Sequence, residues 1–191
     1  VAVYAVNGNF DDAQTGVKRV FGDETVAREL AGRGIRLSSA NSINWGRLAP
    51  QIVYYFYAYF RLAETGGVAW GDPVDFCVPT GNFGDILAGY YAKRMGLPVG
   101  RLVCASNKNN VLADFIRTGT YDKRRTFYKT TSPSMDILIS SNLERLLYHL
   151  TEDETKVAGW MAQLAETGCY TVDAQTLARL QETFRCGWAD D

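Results

Sequence analysis

The chain has 191 residues, a formal net charge of −1 and an apolar content of 47%. That is ample for a core in one large domain or in pieces of two, and a balanced charge without a basic stripe argues against a nucleic-acid surface. No apolar run reaches membrane-spanning length: the run from Ile52 to Phe60 is too short and too rich in tyrosine.

Val1 to Val6 read as a buried strand, with no signal peptide and no initiating Met, so the abrupt start predicts a piece excised from something longer. Asn7-Gly8-Asn9 reads as a turn. Asp11 or Asp12 can cap a helix to about Phe21, with Val17, Val20 and Phe21 on its apolar side. A second helix runs from Asp23 to about Ala31, stopped by Gly32 to Gly34. After a short extended piece and the polar run Ser38 to Ser42, a long helix is predicted from Ile43 to Glu64, in which Pro50 should cost a hydrogen bond and kink the helix unless it falls near the first turns. Val74 to Val78 is a strand, the next helix runs to about Met95, Arg101 to Ala105 is a second strand, and a further helix ends near Arg117. Beyond Thr130 the pattern is helical: Leu143 to Leu150, Glu152 to Glu166 and Asp173 to about Arg185. Alternating strands and helices predict a three-layer αβα architecture with a mostly parallel sheet.

The segment Thr80-Gly81-Asn82-Phe83-Gly84-Asp85 joins a strand to a helix. Gly81 and Gly84 are expected to take positive φ and to admit a ligand where a Cβ would block it. The helix start offers free N–H groups and a positive dipole end, which suit phosphate. The loop is neither a P-loop nor a GxGxxG fingerprint, and a ligand-free turn is the alternative. Asp85 beside a phosphate would be repelled, so it should point away from the guest or act as a plain helix-start carboxylate.

Ser39 to Asn44 followed by Arg47 either caps the long helix or supplies hydroxyl, amide and guanidinium donors to an anion. Ser106 to Asn110 should lie on the same sheet edge as the cradle, either as a solvated turn or with Asn107 and Lys108 facing a ligand. His149 sits in an apolar helical stretch and reads as structural, and the aromatic run Tyr54 to Phe60 reads as packing. Four cysteines without a CxxC pair and one histidine leave no metal site. Cys77 and Cys104 read as buried free thiols in a reducing, cytoplasmic setting.

The blocks NSINWGRLAPQIVYY, VPTGNFGDILAGYYAKRMGLP, ASNKNN and SMDILISSNLERL together resemble the threonine synthases, pyridoxal-phosphate enzymes of the tryptophan-synthase β-like fold. The resemblance runs from residue 1 to about 150 and is looser beyond. It implies that Gly81, Asn82, Phe83 and Asp85 hold the phosphate of pyridoxal 5'-phosphate, with Gly84 allowing close approach. It implies that Asn41, Ser42, Asn44 and Arg47 lie near the substrate. It also implies a lyase that converts O-phospho-L-homoserine and water to L-threonine and phosphate. The family's Schiff-base lysine, in a Phe-Lys-Asp motif, has no counterpart in these 191 residues, so no catalytic residue is assigned and the chain alone is expected to be inactive. By the same resemblance, residues 1–37 correspond to the end of the smaller domain, 38–150 to part of the larger cofactor-binding domain, and 151–191 to a helical segment of the latter. Self-association through an uncovered edge strand or cleft face is expected. The alternatives are another pyridoxal-phosphate lyase or dehydratase of the same fold, and a non-catalytic ligand-binding module.

Overall fold

The computed structural model describes residues 2–8, 10–38 and 43–190, and the chain divides into two compact units, 1–40 and 41–191. The first unit holds α1 (Phe10–Gly22) and α2 (Glu24–Gly32). Asp23 caps α2, its carboxylate accepting from the N–H groups of Thr25 at 2.8 Å and Val26 at 3.1 Å. The strand expected at the start is not formed: residues 2–6 lie outside any strand, and Val3 is 88% exposed. A strand needs a neighbour to pair its N–H and C=O groups, and the described residues of this unit contain none. Val17, Val20 and Phe21 are likewise exposed rather than packed.

In the second unit Pro50 does more than kink the predicted long helix. The chain forms α3 (Trp45–Leu48), tightens into a 3₁₀ turn at Ala49–Gln51, and resumes as α4 (Ile52–Glu64). Proline lacks the N–H that a continuous helix needs, and the 3₁₀ turn absorbs the defect. Next come β1 (Val74–Pro79), α5 (Gly84–Arg94), β2 (Val99–Ser106), α6 (Val111–Thr118) and β3 (Thr120–Asp122). The chain ends with α7 (Leu143–Thr151), α8 (Glu154–Thr167), β4 (Cys169–Thr171), α9 (Ala174–Thr183) and β5 (Phe184–Trp188).

The main sheet is parallel in the order β1-β2-β5, with Val78 beside Cys104 and Cys104 beside Cys186. Helical crossovers link its strands, which is the α/β plan with a mostly parallel sheet that the alternation predicts. A separate antiparallel pair, β3 and β4, sets Tyr121 opposite Tyr170, their rings stacked at 5.5 Å. The last forty residues are thus not all helix, and α9 stops two residues before Arg185, where β5 has already begun.

Along β1, Phe76 and Val78 face the packed side, while Asp75, Cys77 and Pro79 are exposed. Cys77 is therefore an exposed thiol, contrary to expectation, because it sits on the open face of an edge strand; Cys104, one strand in, is buried. The core joins Ile86 and Leu87 of α5 to Leu102 of β2, Phe115 of α6, Leu146 of α7 and Phe184 of β5.

Candidate anion-binding site

At the C-terminal end of β1, Thr80 is buried and fully engaged. Its N–H donates to the Ala105 carbonyl at 2.9 Å and its hydroxyl to the Val78 carbonyl at 2.6 Å. The chain then turns sharply into α5. The positive φ expected at Gly81 and Gly84 falls instead on Phe83, at 61°. A left-handed non-glycine costs roughly 1–2 kcal/mol. The Phe83 ring is 1% exposed and lies 5.6 Å from that of Phe184, a burial worth about 1.5–3 kcal/mol, so packing holds the strained residue. Gly81 serves a different close approach from the one expected: a Cβ there would stand 2.6 Å from the Ser134 carbonyl oxygen. The glycine makes room for the chain's own backbone.

That backbone holds the turn from behind. The Ser140 hydroxyl donates to the Gly81 carbonyl at 3.2 Å, and Asn142 donates to the Asn82 carbonyl twice, through its N–H at 3.2 Å and Nδ2 at 3.0 Å. α5 then begins at Gly84 with no side-chain cap, so its first-turn N–H groups have no acceptor inside the helix. The Oδ1 atom of Asn82 is buried with no hydrogen-bond partner. In a native fold such an atom calls for a reason.

A cleft of about 230 Å³ lies over this turn, lined by residues 79–86 together with Arg47 and Gln51. Arg47 is in α3, started by the Asn44 side chain, which accepts from the Gly46 N–H at 2.9 Å. Gln51, one turn on, donates to the Arg47 carbonyl at 2.8 Å. The structure thus brings Arg47 to the cradle and uses Asn44 as a cap. Asn41 and Ser42 lie outside the described residues. Gln51 was not anticipated; its i+4 spacing from Arg47 was the available signal.

Asp85 turns toward α4. The Tyr55 hydroxyl lies 2.8 Å from the Asp85 carbonyl oxygen and 3.2 Å from its Oδ1, donating to both. Crowding by surrounding protein raises the Asp85 carboxyl above its ordinary range, partly offset by the Tyr55 bond, and solvent at this exposed residue damps the effect. Burial, then the charge of Asp85, pushes the Tyr55 hydroxyl well up, so it stays a donor.

The turn at Ser106 to Asn110 is not solvated. Asn107 and Asn109 are buried and donate to Asp136 Oδ1 at 2.7 and 3.1 Å. Lys108 pairs with Asp190 at 2.8 Å and lies over the Tyr128 ring. Both residues expected to face a ligand there make internal contacts. His149 is bonded to the Tyr91 hydroxyl at 2.8 Å, and burial lowers its pKa. Among the described residues, no three His, Cys, Asp or Glu side chains cluster to hold a metal ion, and no helix is long and apolar enough to cross a membrane.

The parts suit a compact anion with further polar groups. Open N–H groups and a guanidinium supply donors, while the orphaned Asn82 oxygen asks for one.

No protein-family model matches the chain. It is 47% identical over 189 residues to threonine synthase-like 1 of Macaca fascicularis, covering 97% of this chain and 25% of that protein. It is 42% identical over 196 residues to the threonine synthase of Eremothecium gossypii, covering 96% and 36%. Among solved structures it superposes on a PLP-bound threonine synthase from Brucella melitensis with a TM-score of 0.84 at 44% identity, covering 97% of this chain and 38% of that one. The yeast threonine synthase gives 0.81 at 37%, covering 97% and 36%. The chain therefore spans between a quarter and two-fifths of the length of these relatives. Over almost all of its length, this chain is a homologue of a segment of the threonine synthases.

Proposed function

We propose that this chain is the phosphate-anchoring segment of a pyridoxal-phosphate enzyme that converts O-phospho-L-homoserine and water to L-threonine and phosphate. One observation carries the reading: the uncapped start of α5, whose first N–H groups lack helix-internal acceptors, and the Arg47 guanidinium line one cleft of about 230 Å³. Pyridoxal 5'-phosphate, when bound, supplies an electron sink for bond breaking at the substrate. The chain's own share is to hold and orient. Gly81, Asn82, Phe83, Gly84 and Asp85 would form the phosphate seat, with N–H groups of the first turn of α5 as donors. Arg47, with Asn41 and Ser42, would face the substrate, whose own phosphate suits a guanidinium, while Asn44 caps the helix that carries Arg47.

Tyr55 answers the problem of a carboxylate beside a phosphate. By donating to both the carbonyl and the side chain of Asp85 it ties that carboxylate toward α4. A phosphate dianion nearby would raise the Asp85 pKa further and favour its neutral form. We assign residues 1–37 to the smaller domain and the rest to the larger, and place the protein in the cytoplasm, in keeping with its four free cysteines. Self-association is proposed through the open edge of β1 and the exposed Val53, Tyr54 and Tyr57 of α4. A monomer at all concentrations in sedimentation velocity would refute it.

Calorimetry on the purified chain tests the anchor. Pyridoxal 5'-phosphate should bind at least about tenfold tighter than pyridoxal, the difference a charge-assisted bond of roughly 1.5 kcal/mol makes. Equal affinity would remove the anchor. A second reading, a lyase of the same fold acting on a different phosphorylated substrate, is favoured by the 47% identity to a protein named threonine synthase-like. Assaying the longer protein that contains this segment with O-phospho-L-homoserine and with O-phosphoserine separates the two.

A further inference from the structure

Arg145 stands where a cation is ordinarily unwelcome. It is in the first turn of α7, whose N-terminal dipole end disfavours positive charge by roughly 0.3–1 kcal/mol. What it does there is bridge. Its Nη1 donates to Asn142 Oδ1 at 2.5 Å, and its Nη2 donates to the Ile43 carbonyl. Asn142 is fully buried, and its own Nδ2 and N–H hold the Asn82 carbonyl. A continuous chain of bonds therefore runs from the cradle turn, through Asn142 and Arg145, to the backbone one residue before Asn44. Asn44 starts the short helix that carries Arg47.

We propose that Arg145 and Asn142 are positioning residues that set the distance between the two halves of the anion site, the cradle turn and the Arg47 segment. The proposal rests on the anion-anchoring reading of that cleft. Two features of the chemistry suit the role. A guanidinium offers a fixed fork of donors and so ties two acceptors at a set separation, which a single ammonium does not. Asn142 offers donors to one side and an acceptor to the other, so it passes the constraint on to the Asn82 carbonyl rather than ending it.

The test uses the full 191-residue chain and the variants Arg145→Met, Arg145→Lys and Asn142→Ala. Affinities for inorganic phosphate and pyridoxal 5'-phosphate are measured by calorimetry. The backbone amide resonances of Asn82 to Ile86 are recorded without ligand, and thermal midpoints are recorded alongside. Arg145→Met and Asn142→Ala should each weaken both ligands by about tenfold, and the double variant should be no worse than either, because one strut is cut twice. Since Asn142→Ala changes no charge, its match to Arg145→Met separates positioning from direct attraction. Arg145→Lys keeps the charge and most of the stem, so it carries the test if the methionine variant does not fold. It should stay folded, shift the amide resonances and recover little affinity. Unchanged amide resonances and unchanged affinity in the folded variants would overturn the strut. Wild-type protein that binds neither ligand would overturn the anion reading instead, and the strut would then stand or fall on the amide resonances.

Discussion

Asp136 is 4% exposed and accepts from four groups: the Thr130 N–H at 2.9 Å, the Thr130 hydroxyl at 2.7 Å, and the side chains of Asn107 and Asn109. Burial alone would raise its pKa, but these donors outweigh it and hold the carboxyl below its ordinary range. Because the folded pKa is depressed, its contribution to stability is present above about pH 4, the range of an unfolded aspartate. The contribution is lost as pH falls through the folded value. Asp136→Asn should cost about 2–3 kcal/mol at pH 7, since donors then face an amide that also donates. Urea denaturation at pH 7 and at pH 3 should show the gap between wild type and variant narrowing in acid. A constant gap would show that the carboxylate charge is not what matters. The same knot positions the segment whose Ser134 carbonyl fills the space beside Gly81. Gly81→Ala should therefore displace that backbone, lower stability by about 1–3 kcal/mol and weaken pyridoxal 5'-phosphate binding; an unchanged affinity would mean that the turn is set elsewhere.

At the scale of elements, α5 is wedged tightly enough to test. A Cβ on Gly89 would meet the Tyr55 ring at 2.6 Å and Leu102 Cδ2 at 2.9 Å. In an open helix Gly→Ala gains about 1 kcal/mol, but here overpacking of about 1–3 kcal/mol opposes it. Gly89→Ala should therefore lower the urea midpoint, and a raised midpoint would show that α4 and β2 yield easily. What the sequence made legible follows from how local each signal is. β1, the turn and α5 were readable because an apolar strand, two glycines and an amphipathic run follow one another directly. α3 and α4 were readable except for the depth of the break at Pro50. β3 and β4 are three residues each, too short to show a period, and β5 follows α9 without a turn signal. The first six residues carried strand-like composition, but a strand is defined by its neighbour, and composition does not report one. Within the site, Arg47 and the cradle were legible. Gln51, Tyr55, Asn142 and Arg145 were not, because their roles depend on contacts between segments far apart in the chain.

At the scale of the whole molecule, binding and turnover should separate. Every side chain that lines the cleft, from Arg47 to Ile86, belongs to the unit 41–191, so the phosphate seat proposed above draws on that unit alone. The proposed turnover is different: the Phe-Lys-Asp motif that the resemblance implies for attaching the cofactor does not occur in these 191 residues. A ligand that binds only the folded state raises stability by RT ln(1 + [L]/Kd), about 2.7 kcal/mol at a hundredfold excess over Kd. Pyridoxal 5'-phosphate should therefore raise the thermal midpoint of the purified chain in a concentration-dependent way, and inorganic phosphate should do so less. The same protein, loaded with cofactor and given O-phospho-L-homoserine, should release no threonine and no phosphate above the free-cofactor blank. A midpoint that rises without product would locate the anchor here and the bond-breaking machinery elsewhere. Product formation proportional to protein concentration would overturn that division, because it would require a lysine among the ones present to do the work of the missing motif.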